Sequence, residues 1–236
     1  MQAEDYLNGQ ILFIDKPLNW TSFQVVNKIR WAIRQKFRIR KIKVGHAGTL
    51  DPLATGLLII CTGKFTKKLN EFQAAAKEYT GKITLGATTP SYDLETAIDK
   101  TFDTAHISEE AILETAIKLT GTITQTPPLY SAIKQDGVRL YEIARKGEET
   151  KVNSRQVEIF SFEITKIDMP DLHFKILCSK GTYIRSIAHD FGKMLESGAH
   201  LTELVRTKSG DFDLDTALSL EEFLERLNPQ DADQKK

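Results

Sequence analysis

Between Gly45 and Gly56 the chain reads GHAGTLDPLATG, a stretch that leaves the backbone little choice. Pro52 disfavours the helical region for Asp51 and drives it extended, while Gly45, Gly48 and Gly56 permit turns that other residues resist. An apolar run, Leu57 to Cys61, follows at once and predicts a buried strand. A carboxylate is thereby aimed from a loop that enters a rigid element, with His46 five residues before it. Taken alone, the segment also describes an ordinary turn that Asp-Pro opens and the glycines close.

The rest of the chain alternates helical and strand patterns. Gln10 to Ile14 reads as a short strand. Thr21 opens a helix through a capping box with Gln24, and Phe23, Val26, Ile29 and Ile33 mark its expected buried face. Thr66 to Ala76 reads as a second helix. From Tyr79 the period becomes two, placing Tyr79, Gly81, Ile83 and Leu85 on one strand face. Ser108 caps a helix stapled by Ile107 against Ile112 and stopped near Gly121. A loop with Pro127-Pro128, a short helix over Val138 to Lys146, and two alternating strands, Val157 to Ile167 and Leu172 to Cys178, follow; the strands suit a hairpin. Thr182 to Leu195 forms a helix burying Ile184, Ile187, Phe191 and Leu195, and a last helix starts with the box Ser219 to Glu222. Without a regular βαβ repeat, the pattern predicts an α+β fold with a mixed, mainly antiparallel central sheet flanked by helices. No linker or internal repeat divides the 236 residues, so one domain over 1–236 is expected.

Formal net charge is zero, but its distribution is uneven. KIRWAIRQKFRIRKIK, from Lys28 to Lys43, carries eight basic residues and no acidic one, with Trp31 and Phe37 interleaved. Such a strip suits contact with phosphates, and equally an ordinary solvated helix face with a basic loop after it. Lys36, Arg38, Arg40 and Lys41, placed after the amphipathic pattern ends, are the cations expected to reach a polyanion. Neither a signal-like start nor a bilayer-length apolar run is present, so a cytoplasmic protein without membrane contact is expected. Cys61 and Cys178 lie in apolar runs and read as reduced core thiols.

Several chemistries are excluded by spacing. Thr62-Gly63-Lys64 lacks the glycine of a phosphate-binding loop at position 58 and the hydroxyl at 65, which are Leu58 and Phe65. The five histidines show no metal-ligand spacing, and no CxxC or HExxH occurs, so no metal is expected. The glycines around Asp51 do not match the dinucleotide fingerprint. A hydrolase with paired carboxylates lacks a second acid beside Asp51 in the motif. The expectation is chemistry without a cofactor.

Four blocks, in order, resemble the TruB family of tRNA pseudouridine synthases over most of the chain. They are Lys16-Pro17 with Trp20-Thr21-Ser22; GHAGTLDPLATG with Gly63-Lys64 and Thr66-Lys67; Lys77-Glu78-Tyr79 with TQTPPLYSAIK; and KGTYIRSIAHDFG, Lys180 to Gly192. The resemblance implies conversion of a tRNA T-loop uridine, conventionally numbered 55, to pseudouridine, with the T-loop and T-stem as the bound partner and no protein partner or cofactor. It implies Asp51 as the catalytic carboxylate, Arg185 as the cation serving it, and Tyr79 as the ring against the target base. It further implies His46 as the residue filling the stack that a flipped-out base leaves. Tyr183 is placed to support the aspartate or the ribose. Asn19 stands where the family has Gly, and Ala47 where it has Thr. About thirty residues follow Arg206, too few for the PUA-type RNA-binding domain of many relatives. A non-catalytic RNA-binding or tRNA-folding protein on the same scaffold is the alternative.

Overall fold

The computed structural model describes residues 1–135, 137–147, 150 and 152–228. Among the described residues the contacts fall into two compact units, residues 1–79 with 205–228, and residues from 80 to 204. The chain passes from the first to the second within the strand Lys77–Leu85 and returns within the strand Ala199–Ser209.

In the first unit the strand Thr55–Thr62 is central. The apolar run predicted at Leu57 to Cys61 lies inside it and is almost wholly shielded from solvent. Antiparallel to it run Ile11–Lys16 on one side and, over its C-terminal half, Val44–Ala47, whose partners include His46 with Ile60 and Ala47 with Ile59. Val205 and Arg206 pair with Thr55 and Gly56 in parallel, and Leu218–Ser219 joins Ile11–Lys16 in parallel, which makes the sheet mixed. Alternation along the central strand supplies two cores. Leu58 and Ile60 pack with Val25, Val26, Ile29 and Ile33 of the helix Ser22–Phe37 and with Leu220, Phe223 and Leu227 of the helix Leu220–Leu227. Leu57 and Ile59 pack with Ala47, Phe13, Phe72 and Phe212. Each such side chain contributes about 1.5–3 kcal/mol when fully buried.

Both capping boxes form: Thr21 with Gln24, and Ser219 with Glu222. One expected core position fails, since Phe23 is 64 % exposed. It points away from the face that Ser22, Val25, Val26, Ile29 and Ile33 bury, and Val25 lies about 200° further round the helix. The segment expected as a helix from Thr66 to Ala76 divides into a 3₁₀ turn, Gly63–Lys68, and a short helix, Leu69–Ala74.

In the second unit the order of strands is Ala199–Ser209, Lys77–Leu85, Asp171–Cys178, Arg155–Asp168 and Gly121–Gln125. The predicted hairpin is present, Arg155–Asp168 pairing antiparallel with Asp171–Cys178 from Asp168 opposite Asp171 to Ile159 opposite Cys178. The helix Ile184–Met194 buries Ile184, Ile187 and Phe191 as expected, and Ser108 caps the helix Glu109–Lys118. The predicted helix over Val138 to Lys146 begins later, at Leu140, because Val138–Arg139 pairs with Lys134–Gln135. Both cysteines are buried thiols.

Candidate active site

Asp51 lies in the turn that joins Val44–Ala47 to Thr55–Thr62, and this turn is held from three sides. From the first strand, the buried Lys16 ammonium donates to the carbonyls of Trp20 at 2.6 Å, Pro17 at 2.8 Å and Pro52 at 3.3 Å. Burial pushes its pKa down to about 8, against the upward pull of the Asp51 and Asp15 carboxylates, so the ammonium and the Asp51 carboxylate share one field. From the first helix, the Ser22 hydroxyl donates to the Leu50 carbonyl at 3.1 Å and accepts from the Leu50 amide at 2.9 Å. From the strand Ala199–Ser209, the Arg206 guanidinium, 1 % exposed, donates to the carbonyls of Leu57 at 2.7 Å and Gly48 at 3.2 Å.

The backbone of the turn meets these constraints. The Ala54 amide closes onto the Asp51 carbonyl at 3.1 Å. Gly56 has φ +100°, and a Cβ there would fall 2.4 Å from the Arg206 carbonyl oxygen, so glycine is required twice over. Asn19, where the family pattern has glycine, takes φ 64°, a left-handed conformation that asparagine tolerates better than most residues. Its amide donates to the Pro52 carbonyl at 2.8 Å, which ties it to the Asp51 turn. Ala47 is fully buried against Leu57 and Ile59, where no hydroxyl would find water.

His46 projects from the strand that enters the turn. Burial, and then the Arg206 charge, lower its pKa, which favours the neutral ring. A hydrogen bond between the ring and the Gly48 backbone pulls the other way but does not prevail. Tyr79 is 8 % exposed and, as predicted, lies on the same side of its strand as Ile83 and Leu85, both buried. Beside it in sequence, Lys77 Nζ caps the short helix Leu69–Ala74 by donating to the carbonyls of Gln73 and Ala75, both at 2.6 Å.

In the second unit Arg185 is 2 % exposed and held on three sides as well. Its Nη1 donates to the Ser91 carbonyl at 3.1 Å and Nη2 to the Tyr130 carbonyl at 2.9 Å, while Nε lies 3.5 Å from the Asp93 carboxylate. Sequence reasoning missed Asp93. Its one available signal was the polar turn Ser91 to Thr96, which is indistinguishable from a surface loop until Arg185 is placed against it. Tyr183 is the N-cap residue of the helix carrying Arg185, and its backbone exchanges two hydrogen bonds with the Gln125 side-chain amide, at 2.7 and 3.0 Å. The Arg155 guanidinium covers its ring at 4.8 Å.

Within the basic strip, Lys36, Arg38, Arg40 and Lys41 are all exposed. Lys36, however, is inside the helix, which runs to Phe37, rather than beyond it; Arg38 is the left-handed C-cap, and Arg40 and Lys41 follow in the connection to Val44. The helix outlasts its amphipathic stripe because its C-terminus is capped by amide bonds from Arg38 and Ile39 to the Arg34 carbonyl. Among the described residues no group of His, Cys, Asp and Glu could hold a metal ion, and no helix is long and apolar enough to cross a membrane.

Comparison with known proteins gives concordant matches. The family model described as "TruB family pseudouridylate synthase (N terminal domain)" matches residues 34–184, and that described as "tRNA pseudouridylate synthase B C-terminal domain" matches 185–236. A tRNA pseudouridine synthase B of Flavobacterium johnsoniae is 59 % identical over 96 % of this chain and 100 % of its own length. That of Phocaeicola vulgatus is 51 % identical over 98 % of each. Among solved structures, a chain in a Cbf5-Nop10-Gar1 complex superposes with a TM-score of 0.73 at 27 % identity. All of the present chain is covered there, but only 60 % of the solved one.

Proposed function

Because the chain belongs to the TruB family of pseudouridylate synthases, we propose that it converts uridine to pseudouridine in tRNA, at uridine 55 of the T-loop, with Asp51 as the reacting carboxylate. The observation that carries this reading is the fixed turn: three elements converge on the loop of a single aspartate, Lys16 on Pro52, Ser22 on Leu50 and Arg206 on Gly48, and hold the backbone on either side of it before any substrate arrives. Preorganisation of this kind suits a carboxylate that must meet one atom of a bound nucleotide.

The reaction breaks the C1′–N1 bond, turns the base and forms C1′–C5, with the C5 proton lost and N1 protonated. Asp51 serves it either by attacking C1′ or by assisting a glycal-like intermediate; both need the carboxylate. Tyr79, on a buried strand face, is assigned the wall against the turned base, and His46, neutral and flat, the gap in the T-loop stack. Arg185 is assigned the cation that serves Asp51, on the strength of the KGTYIRSIAHDFG block in which it stands. Tyr183 supports the site from the N-terminus of the same helix. Lys36, Arg38, Arg40 and Lys41 are assigned to phosphates of the tRNA, the T-stem being the adjoining duplex.

The test is pseudouridine mapping on unmodified tRNA, with affinity measured on the same preparations. Wild type should form pseudouridine at position 55, and Asp51→Asn should form none while binding tRNA within a few-fold of wild type. Turnover surviving in Asp51→Asn would overturn the assignment; tRNA binding without turnover in wild type would favour the RNA-folding alternative.

A further inference from the structure

The clamp on Arg185 is built from a turn with an unusual centre. Ser91 and Asp93, which supply the carbonyl and the carboxylate, flank Tyr92, and Tyr92 has φ 63°, a left-handed conformation that a bulky residue rarely adopts. Something must hold it there. The Tyr92 carbonyl accepts from the Leu201 amide at 2.9 Å, and its ring lies flat on His189, centroids 4.0 Å apart and planes 18° from parallel.

His189 stands one helical turn after Arg185 on the helix Ile184–Met194, so the two side chains leave the same face. The helix therefore grips the turn Ser91 to Asp93 twice, through the guanidinium at either side of Tyr92 and through the imidazole on Tyr92 itself. Its Nδ1 is buried without a hydrogen-bond partner among the described residues, and the face of the ring is what meets Tyr92.

We propose that Tyr92 and His189, stacked ring on ring, are positioning residues that keep Ser91 and Asp93 set around Arg185. The inference rests on the reading above in which Arg185 serves the reaction. Removing the stack frees the strained turn, lets the guanidinium wander and slows the chemical step while leaving RNA contacts untouched.

The experiment compares His189→Ala, His189→Phe and Tyr92→Gly with wild type, reading kcat and KM for tRNA, the thermal midpoint, and amide exchange across residues 88–96. His189→Ala should lower kcat by about five- to tenfold with KM unchanged, the scale of a lost ring-on-ring contact. It should also speed exchange in the 88–96 segment. His189→Phe, which restores a flat ring and sacrifices no hydrogen bond at Nδ1, should return both readouts to near wild type. Tyr92→Gly adopts φ 63° freely, so it removes the strain together with the ring and should lose less kcat than His189→Ala does. Wild-type kcat and exchange in His189→Ala, or a loss that Phe does not rescue in a protein of unchanged thermal midpoint, would overturn the proposal. The exchange readout does not require turnover, so it judges the clamp even if wild type proves inactive on tRNA, a result that would count against the functional reading instead.

Discussion

The Ser22 hydroxyl exchanges two hydrogen bonds with the backbone of Leu50, the residue immediately before Asp51. A helix's first turn thereby fixes the direction from which the carboxylate enters its site, and Ser22→Ala leaves both a buried amide and a buried carbonyl without that partner. Each such group costs about 1–3 kcal/mol. We expect a stability loss of roughly 2–6 kcal/mol and a fall in kcat larger than the change in tRNA affinity. Urea unfolding alongside single-turnover kinetics checks this; a variant with wild-type stability and kcat would show that the exchange is dispensable.

Gly56→Ala is expected to be worse. The added methyl would meet the Arg206 carbonyl at 2.4 Å and impose φ +100° on a residue with a side chain. Overpacking and backbone strain together should cost about 2–5 kcal/mol, and pseudouridine formation should be lost with the parallel pairing of Gly56 and Arg206. An unfolding midpoint within experimental error of wild type would refute it.

Replacing Lys36, Arg38, Arg40 and Lys41 together by Gln should weaken tRNA binding and flatten its salt dependence. The slope of log affinity against log salt should fall by about 0.7–0.9 for each phosphate contact removed. Turnover at saturating tRNA should change much less, since all four side chains are exposed and none belongs to the Asp51 turn. An unchanged slope in titrations at several salt concentrations would reassign the strip to a solvated surface.

His46 makes folding sensitive to mild acid. Burial and the Arg206 charge depress its pKa in the folded state below the ordinary 6.5, so the unfolded chain takes up the proton first. Its contribution is whole above about 6.5 and is lost as the pH falls from there through the folded value. Wild type should therefore lose stability between neutral pH and about pH 5 more steeply than His46→Gln. Chemical unfolding of both proteins across that range decides it, and parallel curves would mean that His46 is not the titrating group.

Much of the architecture was legible because its signals are local. The capping boxes at Thr21 and Ser219, the alternation from Val157 to Cys178 and the apolar run after Gly56 depend on neighbours a few residues away, and all three appear as expected. The strand Ala199–Ser209 was invisible. Glu203, Val205, Arg206 and Lys208 give it no clean alternation, and Arg206 is buried because its charge is spent on backbone carbonyls rather than on water. The same reason hid Asp93: a carboxylate committed to a distant guanidinium has no sequence signature. Phe23 misled in the opposite direction: Val26 follows it at helical spacing, but it lies outside the face that Ser22, Val25 and Ile29 bury.

Arg206 reaches back across 149 residues to Leu57 and 158 to Gly48. A ribosome lengthens its product by about 5–20 residues per second, so the Asp51 turn, though written early, waits on the order of ten seconds for the side chain that fastens it. Contacts so remote in sequence also slow the conformational search once the chain is released. The nascent chain therefore carries an unfastened Asp51 turn for most of its synthesis, and that turn is tied down only once the strand Ala199–Ser209 arrives.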